Sequence, residues 1–242
     1  MSRNMLLLVL GALLAGGIAT PVRAASTTPP CLPHCAGASL AGSDLSGVNL
    51  SRADFRRADL SRANLSGAII MLTDLTDANL SGADLTGAVL SGSTLTNTDF
   101  RGANLTSAMG SGIRGTPTRM PKDWAIVRAR PGGIANPRLP GFIAGPGAAL
   151  PQAYLSGADM RGMNLAGANF TCADVSWADF RGANLTGANF TQAWMLAPKM
   201  KGANVTGAIF TGATFGWSGD RPGPRPGCTA PLVDITPAGL LP

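Results

Sequence analysis

The stretch that decides the fold reads Arg181-Gly182-Ala183-Asn184-Leu185-Thr186-Gly187-Ala188-Asn189-Phe190. It repeats a five-residue unit: Ala, then Asp or Asn, then Leu or Phe, then Ser, Thr or Arg, then usually Gly. Followed outward in both directions, the unit recurs over residues 36–105 and 148–216, with 28 apolar centres in all. A period of five matches neither a helix nor a strand, so the chain must turn inward twice in every unit.

This pattern resembles the signature of the pentapeptide-repeat family, in which Ala and then Asp or Asn precede an apolar centre. The resemblance implies an all-β fold, a right-handed quadrilateral β-helix with four units in each square coil. The 28 centres then imply about seven coils, interrupted by one loop or hairpin insert. The centres would fill the interior, and the representative core centres are Leu65, Leu85, Leu105, Phe170, Leu185, Phe190 and Phe210.

The N-terminus is typical of an export signal. Arg3 precedes an apolar run that is short for a membrane span, and small residues near Ala24 suit a signal peptidase. We therefore predict a secreted or periplasmic protein with no transmembrane segment after cleavage; an uncleaved anchor is the alternative. The predicted segments are a signal peptide (1–24), a flexible leader (25–35), repeat block one (36–105), a basic insert (106–147), repeat block two (148–216) and a Pro/Gly-rich tail (217–242).

The insert contains two short apolar runs, one within residues 123–130 and one within residues 139–143, separated by Pro131-Gly132-Gly133. Such runs around a Pro-Gly turn predict a hairpin or folded loop on the side of the rod. A disordered linker is the alternative. The tail is expected to cover the open end of block two, since an uncapped solenoid end exposes unpaired strand edges.

The four cysteines are Cys31, Cys35, Cys172 and Cys228. An even number in an exported chain favours disulfides, although four cysteines allow three connectivities. We favour Cys31 with Cys35 and Cys172 with Cys228. Zinc would have to use Cys31, Cys35 and His34, which are too few ligands at an unusual spacing. We therefore predict no metal and no other cofactor.

The formal charge of +6 is concentrated in the insert. The insert has six basic residues and one Asp, whereas the two repeat blocks together have nine basic residues and ten Asp. Some cytoplasmic pentapeptide-repeat proteins act on DNA gyrase as acidic mimics of DNA. A nearly neutral, exported rod argues against that activity and against nucleic acid as a partner.

A coil of twenty residues would stack Arg161, Arg181 and Lys201 on one face, beside Asp159, Asp179 and Lys199. This ladder could bind anions or polysaccharide, or it could be a solvated face on which each Asp neutralises an Arg. The two Asp residues would lie on a flat face without a cleft, and a general acid needs burial to raise its pKa. We predict no catalytic residues and no enzymatic activity.

Outward aromatic residues are the other candidate contacts. Trp177 and Trp217 would share one position two coils apart, with Trp194 near the same side. They could bind sugar rings or a partner, or the tail could cover them. In the insert, the predicted contact residues are Trp124, Arg128 and Arg130.

Block one has an apolar patch at positions that are normally polar, formed by Ile69, Met71, Leu72 and Val89. Exposed patches of this kind often mark association surfaces, so it is a candidate surface for homo-oligomers.

Together, these features predict an exported, non-enzymatic scaffold or protein-binding module, whose partner the sequence does not name. The alternatives are a cell-envelope carbohydrate-binding module and, disfavoured by charge and export, a DNA mimic acting on gyrase.

Overall fold

The computed structural model of the chain describes residues 28–130, Leu139, residues 141–216 and Cys228. The predicted signal peptide (1–24) lies outside these residues, and so does the predicted tail apart from Cys228. Within the described ranges there is no helix, and hence none long and apolar enough to cross a membrane.

Parallel bridges between residues twenty positions apart hold the repeat units together. In block two, for example, Asp159 bridges Asp179, which in turn bridges Lys199. The main chain makes two bonds at each step: the Met160 N–H donates to the Asp179 carbonyl, and the Asp179 N–H donates to the Ala158 carbonyl, both at 2.9 Å. The chain therefore stacks on itself once every four units.

The turn that ends each unit explains the Gly and the Asp or Asn of the pattern. Gly187 has a φ of 66°, a conformation that costs least for a residue without Cβ. The Asn189 side chain accepts a hydrogen bond from the Thr191 N–H at 2.9 Å, which closes the next turn. Several units place a larger residue at the Gly position, among them Arg62 and Trp177, each with a φ of 56°.

The apolar centres form a column inside the coils. In block two, the rings of Phe170 and Phe190 stack with their centroids 4.7 Å apart, and Phe180 meets both edge-on. Six of the representative core centres are buried: Leu65, Leu85, Leu105, Phe170, Leu185 and Phe190.

The seventh centre, Phe210, differs from the prediction because it is only half-buried. Its ring stacks on that of Phe190 at 5.2 Å, but it belongs to the last described coil. In that coil, Val205 and Phe215 are 40% and 58% exposed, since no described coil packs above them. A short parallel pair, β3 (Trp194–Met195) and β4 (Thr214–Phe215), links this coil to the one below.

The ladder of block one continues beyond the predicted boundary at residue 105. Met109, Arg114 and Arg119 bridge the residues twenty positions before them, although the side-chain pattern has already lapsed. Met109 then bridges Ala149, forty positions further on. The main-chain ladder therefore extends into the predicted insert, because main-chain stacking does not require the repeat's side chains.

Two strands occupy the extra chain. Strands β1 (Ala125–Arg128) and β2 (Gly141–Ala144) pair antiparallel, with Val127 opposite Phe142. Ile143 packs into the core of block one, whereas Val127, Phe142 and Ala144 pack into that of block two. The two strands thus join the two cores and do not lie on the side of the rod as predicted, because their apolar residues pack into both cores.

Each block carries one disulfide. Cys31 is bonded to Cys35, with Cα atoms 4.9 Å apart, and Cys35 is buried at the start of the block-one core. Because both thiols are consumed, they are not thiolate ligands for zinc in this state. Cys172 is bonded to Cys228, with Cα atoms 5.8 Å apart, which holds Cys228 against block two.

Candidate functional site: a basic cleft beside the insert

A cleft of about 590 Å³ lies where the insert meets block two. We call it the basic cleft, because four cationic side chains and two carboxylates line it. Its position corrects the prediction that Asp159 and Asp179 lie on a flat face, since the insert forms an additional wall there. The lining residues are Arg130, Ser156, Gly157, Asp159, Arg161, Trp177, Asp179, Arg181, Ala197 and Lys199.

Arg130 provides that wall. Its N–H donates to the Ser156 carbonyl at 2.8 Å, which seats the chain after β1 on a corner of block two. A Cβ on Gly157 would lie 2.4 Å from the Arg130 carbonyl oxygen, so only glycine admits this contact. The Arg130 guanidinium then lies 3.5 Å from the carboxylate of Asp159.

Cations and carboxylates alternate along the floor of the cleft. Arg161 donates from Nε and Nη2 to both oxygens of Asp159, each at 2.8 Å. Arg181 holds Asp179 in the same way, at 2.8 and 2.7 Å. Arg161 also approaches Asp179, with an Nε–Oδ2 distance of 3.9 Å. These pairs match the neutralised-ladder interpretation of the sequence, yet two positive charges remain in excess.

The arginines keep both carboxyl groups ionised. The hydrogen bonds from Arg161 lower the pKa of Asp159 to about 2 against the opposing effect of burial, and the charge of Arg130 adds to this. Hydrogen bonds from Arg181 likewise lower the pKa of Asp179. A general acid in glycoside hydrolysis needs a raised pKa, so this pair has the opposite of the required property.

Trp177 gives the cleft an aromatic wall. Its side chain is 49% exposed, and its φ of 56° lies in the left-handed region, which is unusual for a bulky residue. Among the described non-glycine residues with positive φ it is the one aromatic. A strained, half-exposed tryptophan beside four cationic side chains is typical of a functional site.

The other predicted contact residues of the insert have structural partners. Trp124 is half-buried and packs against both cores. The Arg128 guanidinium donates to the carbonyls of Leu139 and Gly115 at 3.2 and 2.8 Å, so it braces the insert. Of the three predicted insert contacts, the structure brings only Arg130 to the cleft.

The remaining predicted site residues also lie apart from the cleft. Lys201 is exposed one coil above Arg181 but does not line it, and Lys199 takes that place. Trp194 is half-buried in β3, and Trp217 lies outside the described residues. The twenty-residue register already placed Lys199 in line with Asp179, and the two residues bridge each other in the structure. No sequence signal placed Arg130 beside Asp159.

The apolar patch of block one forms a column on a different face. Ile69 bridges Val89, which bridges Met109, at the position that Asp or Asn usually occupies. Ile69 and Met109 are each 37% exposed, and Leu72 nearby is 41% exposed.

The family model for pentapeptide repeats matches residues 34–70, 73–108, 150–187 and 183–218, with eight copies. The chain therefore belongs to the pentapeptide-repeat family, which confirms the prediction. Proteins of this family fold as right-handed quadrilateral β-helices. No curated protein gave a match.

Several solved structures resemble the chain. HetL, a pentapeptide repeat protein involved in heterocyst differentiation regulation in the cyanobacterium Nostoc sp. strain PCC 7120, is 28% identical over 74% of this chain and 71% of its own, with a TM-score of 0.31. QnrB1, a plasmid-mediated fluoroquinolone resistance protein, is 19% identical over 73% of this chain and 91% of its own, with a TM-score of 0.34. A pentapeptide repeat protein of the Arabidopsis thaliana thylakoid lumen is 32% identical over 37% of this chain and 66% of its own, with a TM-score of 0.25. The family assignment rests on the repeat model and not on these superpositions.

Proposed function

We propose that this protein is an exported, non-enzymatic pentapeptide-repeat module that binds its partner in the basic cleft. The supporting observation is the convergence of Arg130 from the insert with Arg161, Arg181, Lys199 and Trp177 from block two. A right-handed quadrilateral β-helix of about seven coils would serve as the rigid support. Binding sites on such scaffolds gain affinity because little conformational entropy is lost when the ligand binds.

The carboxyl pair supports the non-enzymatic part of the proposal. Asp159 and Asp179 are each held by two hydrogen bonds from an arginine, and the pKa of both is lowered. They therefore position the arginine side chains and stay ionised, so they do not act as general acids. Proteins of the pentapeptide-repeat family are in general structural or binding modules.

The export part of the proposal rests on residues 1–24. Cell fractionation of the full chain should place it outside the cytoplasm, and a chain lacking residues 2–24 should remain inside. The Cys172–Cys228 disulfide is consistent with an oxidising compartment. Retention of the full chain in the cytoplasm would contradict export.

Binding in the cleft can be tested by photo-crosslinking in cells. A photoreactive residue at Ala197, which is exposed in the cleft, should crosslink to the partner, and mass spectrometry then identifies the protein or glycan adduct. Ser107 is a matched control, because it is also exposed with a positive φ but lies away from the cleft. Equal crosslinking from both positions, or none from Ala197, would contradict the proposal.

The gyrase alternative has a direct test. The excess charge of the cleft is positive, whereas a mimic of DNA must present negative charge. We expect no inhibition in a supercoiling assay with purified protein.

The column of Ile69, Val89 and Met109 is proposed only as a surface for association between copies, which sedimentation of an Ile69→Asp variant would test.

A further inference from the structure

We propose that the ligand of the basic cleft is an acidic polysaccharide, with uronic acid residues as the recognised sugars. This inference rests on the proposed function of the cleft as a binding site. In this proposal, the arginines and Lys199 bind the carboxylates of the ligand, and Trp177 packs against the face of a sugar ring. The two Asp residues accept hydrogen bonds from the hydroxyl groups of the ligand.

The cations of the cleft have donors left for a ligand. A guanidinium carries five N–H donors, and Arg161 and Arg181 each use two of them on an Asp. The side chains of Arg161 and Arg181 are 56% and 47% exposed, and Lys199 is also exposed. Planar guanidinium groups that are already held in place suit carboxylates, because little side-chain freedom is lost on binding.

The two carboxylates favour a ligand that also carries hydroxyl groups. Asp159 and Asp179 would repel a polymer that presents only negative charge, such as a nucleic acid or a chain of phosphates. Ionised carboxylates accept hydrogen bonds, and a sugar offers hydroxyl donors beside its own carboxylate. The excess of two positive charges matches a polymer with one carboxylate on each sugar better than a densely charged one.

Trp177 contributes the apolar surface that sugar recognition requires. Its half-exposed indole provides a flat face next to the charged floor of the cleft. Amphipathic aromatic side chains at binding sites combine a large contact area with a low loss of conformational entropy. The side of a sugar ring that bears C–H groups is apolar enough to pack there.

The main chain argues against an extended peptide as the ligand. Peptides that bind to sheets usually pair with an unpaired edge. Here the N–H and carbonyl of Asp179 already bond to the preceding coil, through Ala158 and Met160 at 2.9 Å. A peptide would therefore have to bind through side chains alone.

Block one provides an internal control. Arg101 pairs with Asp99 in the same way, with an Nη2–Oδ2 distance of 2.8 Å and an Arg side chain that is 59% exposed. This pair does not line the basic cleft. If an Asp–Arg pair alone were enough, both blocks would bind the polymer.

Calorimetry with the full, oxidised chain and polygalacturonate tests the inference, with the methyl-esterified polymer as the matched neutral ligand. We expect esterification, Trp177→Ala, and the double variant Arg161→Gln with Arg181→Gln each to weaken binding about tenfold or more. Arg101→Gln should bind like the wild type. Thermal melts of every variant establish that the chain still folds.

Each other outcome has a defined meaning. Equal affinity for the charged and esterified polymers, or equal loss in Arg101→Gln, would overturn the acidic-polysaccharide assignment. Tighter binding of polyglutamate than of polygalacturonate would overturn it in favour of an acidic peptide. If the polymer does not bind but Ala197 still crosslinks to a partner in cells, the ligand class is wrong and the cleft remains the binding site. If both fail, the proposed function fails with it.

Discussion

Block one and block two each carry Asp–Arg pairs that insert arginines approach, yet it is the pairs of block two that line the basic cleft. Arg119 lies 3.4 Å from Asp99 at the end of block one, and Arg130 lies 3.5 Å from Asp159 at the start of block two. The difference is that the chain at Arg130 is seated on Gly157, and the neighbouring corner carries Trp177. The repeat thus produces Asp–Arg ion pairs by itself, whereas the candidate binding site forms where the insert contacts block two.

The two cores differ in a similar way. The centres of block one are mostly leucines, whereas block two stacks Phe170 on Phe190 and packs Phe180 edge-on against both. Aromatic rings in contact add to the burial of their area. We therefore expect the core of block two to contribute more to the free energy of unfolding than the core of block one.

The largest expected effect is the loss of Phe180, the ring that contacts both Phe170 and Phe190 edge-on. Phe180→Ala should lower the free energy of unfolding by about 4 kcal/mol, because it removes a fully buried ring and leaves a cavity. Leu80→Ala, at a buried centre of block one, should cost about 3 kcal/mol. Urea denaturation measures both. A Leu80→Ala loss equal to or greater than that of Phe180→Ala would remove the distinction between the cores.

The next effect concerns the seat of the insert. Gly157→Ala should cost about 3 kcal/mol, because the added Cβ would clash with the Arg130 carbonyl in addition to the cost of its left-handed φ. Gly162→Ala is the control, since it has a similar φ of 64° and open space around its Cβ. It should cost about 1 kcal/mol. Equal losses in denaturation would mean that the close contact with Arg130 is not required.

A smaller effect separates stability from binding. Trp177→Gly should leave the free energy of unfolding within about 1 kcal/mol of the wild type, because relief of the strained φ offsets the lost contacts of a half-exposed ring. Leu72→Gly tests the same conformation in block one, where φ is also 56°. Only Trp177→Gly should weaken polygalacturonate binding. Weakened binding in Leu72→Gly would indicate a general effect on the rod.

The smallest effect is a titration that the two blocks should share. NMR should find the pKa of both Asp54 and Asp159 at about 2, because each accepts hydrogen bonds from a neighbouring arginine. A lowered pKa means that the stabilisation is present above the ordinary Asp pKa of about 3.9 and is lost as pH falls through about 2. Arg161→Gln should raise the pKa of Asp159 and leave that of Asp54 unchanged. Titration of wild-type Asp159 near 3.9 would contradict the ion pair.

Much of the repeat architecture could be predicted from single residues and their spacing. The buried centres, including Leu65 and Phe190, follow from a local pattern that recurs in every unit. The stacking of Arg161 with Arg181 likewise follows from the coil length. Phe210 shows the limit of this argument, because burial needs a coil above as well as the pattern itself.

By itself, the sequence determined the repeat, the family and the residues that stack along each face, because the unit carries its geometry locally through Asn side chains and turns. Only the tertiary structure decided the site. The forty-residue step from Met109 to Ala149 and the burial of Ile143 in the core of block one set the path of the insert. That path brings Arg130 to Asp159. Because this contact depends on long-range packing, the periodic pattern of the sequence does not predict it.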